Sequence, residues 1–309
     1  MIAVLGATGF VGAALTRRLT AGPEQVRALV RDPVKAKDRL GDAADGVEFV
    51  VGDMHDEHAL ADLMEGVRVV YVLVQTVTSR QPAGSGDYAE AEHRAVAGIA
   101  AAAHNAGVSR LLTVGLIGAR TDARNPWVRS RARIEADLLA GGPDVTVLRA
   151  GLVVGVGGAG FDRLISAASG RVAVILGSGT QRWSYIALPD LVGSLIDASD
   201  APATAGRVLD VGSIETPTYR ELLARTSRVL GKRSPMVLAL PLPVVTSIAP
   251  ILERVGRLPR GGLRTAIDHL ADDLVGDTSA ARALLPRNLL GWEDAVRVAR
   301  VPLETATIA

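Results

Sequence analysis

The chain has 309 residues, with 34 basic against 33 acidic side chains for a net charge of +1, no cysteine and only 3% aromatic residues. Charges so evenly matched and rings so few argue against a nucleic-acid partner, and the missing cysteines exclude disulfides, thiol catalysis and thiolate-held metal. The length suffices for one large or two modest domains with an ample core. Because the sequence opens on a strand rather than on a basic, apolar leader, the expectation is a cytoplasmic protein.

The first predicted elements surround Val4-Leu5-Gly6-Ala7-Thr8-Gly9-Phe10-Val11-Gly12, where an apolar run breaks into glycines and passes into a segment with helical spacing. Strand, tight turn and helix in that order are the context in which three spaced glycines bind a dinucleotide. Gly6 turns the chain off the strand, Gly9 lets backbone approach a pyrophosphate, and Gly12 lets the helix pack close to the sheet. The phosphates would sit on the unpaired N–H groups at the helix start, which makes Gly6, Thr8, Gly9, Phe10, Val11 and Gly12 candidate cofactor residues.

Strand and helix patterns then alternate. Strands are predicted at Val26–Val30, Val47–Val51, Val67–Val74, Val108–Val114 and Val145–Arg149, with helices at Val34–Leu40, His58–Met64, Ala89–Ala106 and Trp127–Ala140. With the first strand this makes six, the count of a doubly wound parallel sheet of the Rossmann kind. The division expected is a dinucleotide-binding domain over 1–150 and a smaller substrate or cover region over 151–309, partly interleaved with it.

Beyond Gly151, the segment Gly155-Val156-Gly157-Gly158-Ala159-Gly160 reads as a flexible connection leading into a helix that ends near Ser169. A strand and helix follow from Trp183, then a strand at Val208–Val211 and a helix at Thr218–Leu230. The most apolar run, Met236–Leu252, is interrupted by Pro241, Pro243 and Pro250, so it is expected as a broken helical cover rather than a membrane contact.

The residue ending the second strand chooses between the two nicotinamide dinucleotides, since a carboxylate accepts from a ribose hydroxyl whereas an arginine pairs with a 2′-phosphate. Here it is Arg31, with Asp32 one place later, which favours NADP over NAD. After the third strand come Gly52-Asp53-Met54. Asp53 can accept from the adenine amino group if Asp56 takes the task of capping the next helix.

Taken together, Gly6–Gly12, Val30-Arg31-Asp32-Pro33, Gly52-Asp53, Val70-Tyr71-Val72-Leu73-Val74 and Val147-Leu148-Arg149-Ala150-Gly151 resemble the atypical short-chain dehydrogenases, in the NmrA-like or NAD(P)H-binding branch. Met54 and Val74 complete the cofactor set on this reading. The resemblance implies nicotinamide-dinucleotide binding and, for active relatives, a Tyr-x-x-x-Lys pair whose lysine lowers the tyrosine pKa. No such pair occurs in this chain. The family positions fall on Trp127 and Arg131, and the serine after the fifth strand is replaced by Gly115 and Leu116, so no catalytic residue is assigned.

Asp53, His55, Asp56 and His58 crowd together but read as helix-start residues rather than metal ligands. Two functional expectations stand: a reductase of a small substrate by direct hydride transfer, and a non-catalytic dinucleotide-binding regulator or assembly factor with a protein partner.

Overall fold

Seven parallel strands make one sheet in the order β10-β6-β5-β4-β1-β2-β3. The computed structural model describes residues 1–74, 86–123, 125–247 and 273–300, and only the backbone of 86–89. The strands are β1 Ile2–Leu5, β2 Val26–Val30, β3 Val47–Val51, β4 Val69–Val72, β5 Arg110–Leu116, β6 Asp144–Ala150 and β10 Val208–Val211. Helices α1 Phe10–Thr20, α2 Pro33–Leu40, α3 Glu57–Met64, α4 Gly86–Asn105, α5 Pro126–Gly141 and α7 Leu188–Asp200 cover the two faces.

Period-two alternation explains why the sheet is covered twice. In β1, Ile2 and Val4 enter the core beneath α1 and α7, while Ala3 and Leu5 enter the one beneath α3, α4 and α5. The sheet therefore matches the doubly wound expectation, with one strand more than its first half supplies. Val208–Val211 pairs with β6, in register from Val208 opposite Val147 to Val211 opposite Ala150, so the C-terminal half contributes a strand to the dinucleotide-binding sheet.

A third core lies below the sheet's carboxyl edge. It joins β7 Leu152–Val154, α6 Ala159–Ser169, β9 Tyr185–Ala187, α8 Tyr219–Val229 and α10 Trp292–Ala299. Trp292 is fully buried, with Phe161 and Tyr185 edge-on to its ring at centroid distances of 6.3 and 5.0 Å, and its indole N–H donates to Thr226 Oγ1 at 3.1 Å. Helix α8 starts on a capping box, Thr218 and Glu221 bonding each other's backbone N–H. A short helix, α9 Ser279–Leu284, packs beside β10.

One expectation is corrected here. The start of the apolar run, Met236–Leu240, is not helical but forms strand β11, paired in parallel with β8 Val172–Leu176. Pro235 precedes this strand and Pro241 follows it, and the residues between alternate in exposure as a strand requires. Past Pro241 the run turns helical over 242–247, as expected, and beyond Ser247 it lies outside the described residues. Among the described residues no helix is long and apolar enough to cross a membrane.

Trp292→Ala should cost about 3–5 kcal/mol of stability, because it empties the centre of the third core and strands the Thr226 hydroxyl. Urea unfolding followed by circular dichroism measures it.

Candidate functional site

Ligands of an open parallel sheet bind outside the carboxyl ends of the strands where the strand order reverses, here between β1 and β4. Gly6, at φ +86°, turns the chain there, and a Cβ on it would stand 2.7 Å from the carbonyl oxygen of Leu73 at the end of β4. A Cβ on Gly12 would collide with the Gly6 carbonyl. Both glycines are therefore demanded by backbone approach rather than by flexibility.

Gly9 is different. Its φ of −73° suits any residue, and a Cβ there would meet only the Gly6 carbonyl oxygen, at 3.1 Å. It is the N-cap of α1, with no capping side chain and no acid in the first turn. The amides that open the helix thus face outward without an intrahelical partner, beside the exposed Thr8 and half-buried Phe10 and Val11. A pyrophosphate fits this cradle, because the space that a side chain at residue 9 would take is open.

The residues around the cradle divide clearly. Arg31 is exposed at the end of β2, and no hydrogen bond or ion pair of its side chain is found among the described residues. Asp32 is committed elsewhere: it caps α2 through the amides of Val34 and Lys35, and its carboxylate lies 2.8 Å from Lys35 Nζ, a pairing that holds its pKa below the usual range. Asp53 is exposed and accepts from the His55 amide at 2.8 Å, while Asp56 caps α3. Met54 turns its side chain into the second core. Val74 follows β4, half-buried.

Two features were not legible in sequence. The Gly155–Gly158 segment, expected as a flexible connection, lies against the Phe10 ring. A Cβ on Gly158 would come within 2.8 Å of that ring, and one on Gly155 within 3.0 Å. The other is Arg39, whose guanidinium reaches the same loop, 3.9 Å from where a Gly157 Cβ would stand. Arg17 holds the end of α2 there by donating to the carbonyls of Arg39 and Leu40. Arg39 lies in the last turn of α2, and nothing in its spacing points to the Gly157 loop.

The positions where the family keeps its catalytic groups are occupied otherwise. Arg131 is buried and ion-paired with buried Glu92 at 2.5 Å. Glu135, one turn further along α5, accepts through Oε2 from Arg149 at 2.8 and 2.6 Å, and its Oε1 is buried. Burial raises the Glu135 pKa, against the pull of Arg149. That carboxylate fills the space beside Gly115, where a Cβ would collide with Oε1 and stand 2.8 Å from Val147 Cγ1. Trp127 is half-buried in the first turn of α5, capped by Asn125.

Nor does any of the three tyrosines whose side chains are described substitute. Burial pushes Tyr71 up to about 12 and also raises Tyr185 and Tyr219, the reverse of the shift an acid working near neutral pH needs. The Tyr88 side chain lies outside the described residues. Among the described residues no cluster of His, Asp and Glu could hold a metal ion.

The fold is a doubly wound, Rossmann-like α/β sheet with the glycine cradle at its strand-order switch. A family model described as NAD(P)H-binding matches residues 6–153. The chain is 26% identical over 254 residues to a ceramide reductase of Caulobacter vibrioides, covering 82% of this chain and 77% of that protein. It is 28% identical over 300 residues to a (4-alkanoyl-5-oxo-2,5-dihydrofuran-3-yl)methyl phosphate reductase of Streptomyces griseus, covering 89% and 93%. In fold it resembles an NADPH-dependent quinone oxidoreductase of Escherichia coli complexed with NADPH, with 22% identity, a TM-score of 0.74, and 96% and 99% of the two chains covered. Other structures of similar fold hold NAD.

Gly9→Val should abolish dinucleotide binding in a protein that still folds, because the valine fills the cradle without striking a core element. Calorimetric titration alongside a thermal melt checks it. Gly115→Ser should instead destabilise by about 1–3 kcal/mol, since its Cβ displaces the Glu135 carboxylate. Denaturant unfolding reads that cost, and an unchanged midpoint would contradict the crowding at β5.

Proposed function

We propose that this chain is an NADPH-dependent reductase acting on a small conjugated acceptor, such as an enone or a quinone. The preference for NADPH over NADH rests on one observation: Arg31 stands exposed at the end of β2, with no side-chain partner found among the described residues, while Asp32 beside it is spent on the α2 cap and Lys35. Arg31 would pair with the 2′-phosphate, and Arg39, whose guanidinium lies beside Gly157 in the loop that touches Phe10, would add a second cation. The α1 amides would hold the pyrophosphate, with Asp53 at the adenine.

When bound, the dinucleotide supplies a hydride. What the chain supplies beside it decides the acceptor. Gly115, Trp127 and Arg131 offer no transferable proton, because an arginine stays charged at any working pH and this one is bound to Glu92. A simple ketone would need such a proton on its oxygen as the carbon is reduced, a contribution of about 10²–10⁴-fold. A conjugated acceptor spreads the new charge over several atoms and takes its proton later from water. The names of the quinone oxidoreductase and of the alkanoyl-oxo-dihydrofuranyl reductase describe acceptors of that kind.

The second reading, dinucleotide binding without turnover in a regulator or assembly factor, draws on the same ion pairs, since Glu92 and Glu135 tie down the two arginines nearest the family's catalytic positions.

Calorimetric titration should find NADPH bound more tightly than NADH, and Arg31→Ala should weaken NADPH alone by about 1.5–3 kcal/mol. Equal affinities would remove the 2′-phosphate role. With NADPH, simple quinones and enones should be reduced and aliphatic ketones should not. NADPH binding with neither class reduced would favour the second reading.

A further inference from the structure

The paired strands β8 and β11 carry an apolar face that no described element covers. Met236 lies opposite Val172 and Leu238 opposite Val174, so the four side chains project from the same side of the two-stranded sheet. They are 69%, 48%, 51% and 58% exposed, while Ala173 and Ile175 between them are buried on the other side. Val244, just past β11, is 52% exposed as well. A contiguous outward group of this kind marks a contact surface rather than scattered surface hydrophobes.

Charge tells what the surface fits. Both strands run in the same direction, so both begin at one end, and that end is cationic. Arg171 immediately precedes β8, and Lys232 and Arg233 precede β11. All three are exposed, the Lys232 ammonium lies 3.1 Å from the Ser169 carbonyl oxygen, and the Met236 amide bonds the Arg171 carbonyl at 2.9 Å. None of the three forms an ion pair among the described residues. The neighbouring stretches of sequence carry no carboxylate between Asp162 and Asp190 or from Leu222 to Ser247, although the whole protein is almost neutral.

We infer that this face docks on the surface of an anionic phospholipid bilayer, with Val172, Val174, Met236 and Leu238 entering the headgroup boundary and Arg171, Lys232 and Arg233 meeting the lipid phosphates. An apolar face bordered by cations is the pattern of a surface-bound element that lies on a membrane without crossing it. A second copy of the same face is a poorer match, since it would bring three more cations and no carboxylate to meet them. The inference reverses the expectation drawn from sequence, for a physical reason. A helix would have turned the apolar side chains of this run around its axis, whereas a strand points alternate ones outward on a single plane.

Flotation of the full chain with vesicles of phosphatidylcholine alone, and of phosphatidylcholine mixed with phosphatidylglycerol, tests it. The protein should float with the mixed vesicles at low salt, come off as salt rises, and stay behind with the neutral ones. Replacing Arg171, Lys232 and Arg233 together by Ser should weaken the apparent affinity about a hundredfold, at about fivefold per charge, with an unchanged thermal melt. Val174→Glu combined with Leu238→Glu should abolish binding. Should that pair fail to fold, the serine variant decides alone. Wild type absent from the anionic vesicles, or a serine variant that floats as well as wild type, overturns the inference. So does a concentration-dependent dimer in sedimentation equilibrium that Leu238→Glu dissociates, which would give the face to a second copy.

Discussion

The carbonyl of Leu73 stands where any side chain on residue 6 would have to go, and much of the dinucleotide end of the molecule depends on that contact. β1 and β4 are neighbours in the sheet, although two strands and three helices separate them in sequence. Their carboxyl ends meet at Gly6, whose left-handed turn sends the chain into α1. Gly12 then lets that helix pass over the turn at a distance no side chain permits. The uncapped helix start ends up at the strand-order switch, on the side of the sheet where Arg31 and Asp53 also emerge.

Around α5 the controlling terms are electrostatic. Four charged residues, Glu92, Arg131, Glu135 and Arg149, are largely removed from water and survive there as two ion pairs. Removing one partner would leave a buried charge uncompensated, which costs far more than the pair contributes. The pairs also decide chemistry by occupancy. A guanidinium bound to Glu92 cannot act as a mobile cation beside a phenol, and the carboxylate of Glu135 sits where a serine side chain would begin. The departures at residues 115, 127 and 131 are thus built into the packing of one helix against β5 and β6.

The C-terminal half is not a separate lid placed on a finished sheet. β10 extends the sheet beside β6, and the carbonyl of Ser184 comes so close to Gly151 that only glycine fits there. The third core, centred on Trp292, carries α6, whose leading loop crosses Phe10 at the phosphate turn. The outward face of β8 and β11 lies on the same C-terminal part of the chain.

The sequence by itself determined the parallel sheet, the positions of its first six strands and the glycine turn, because each rests on local rules: period-two alternation, helical spacing and the backbone freedom of glycine. It also supported Asp56 as the cap of α3, since capping is a contact of two or three residues' reach. Arg39 beside Gly157, the Phe10 contact with Gly155 and Gly158, and the pairing of Glu135 with Arg149 are contacts across long separations that no periodicity encodes. Met236–Leu240 shows the limit most directly. Apolar residues between prolines suit a broken helix as well as a strand, and only the presence of β8 alongside, offering its unpaired backbone groups, decided for the strand and turned half of those side chains to the outside.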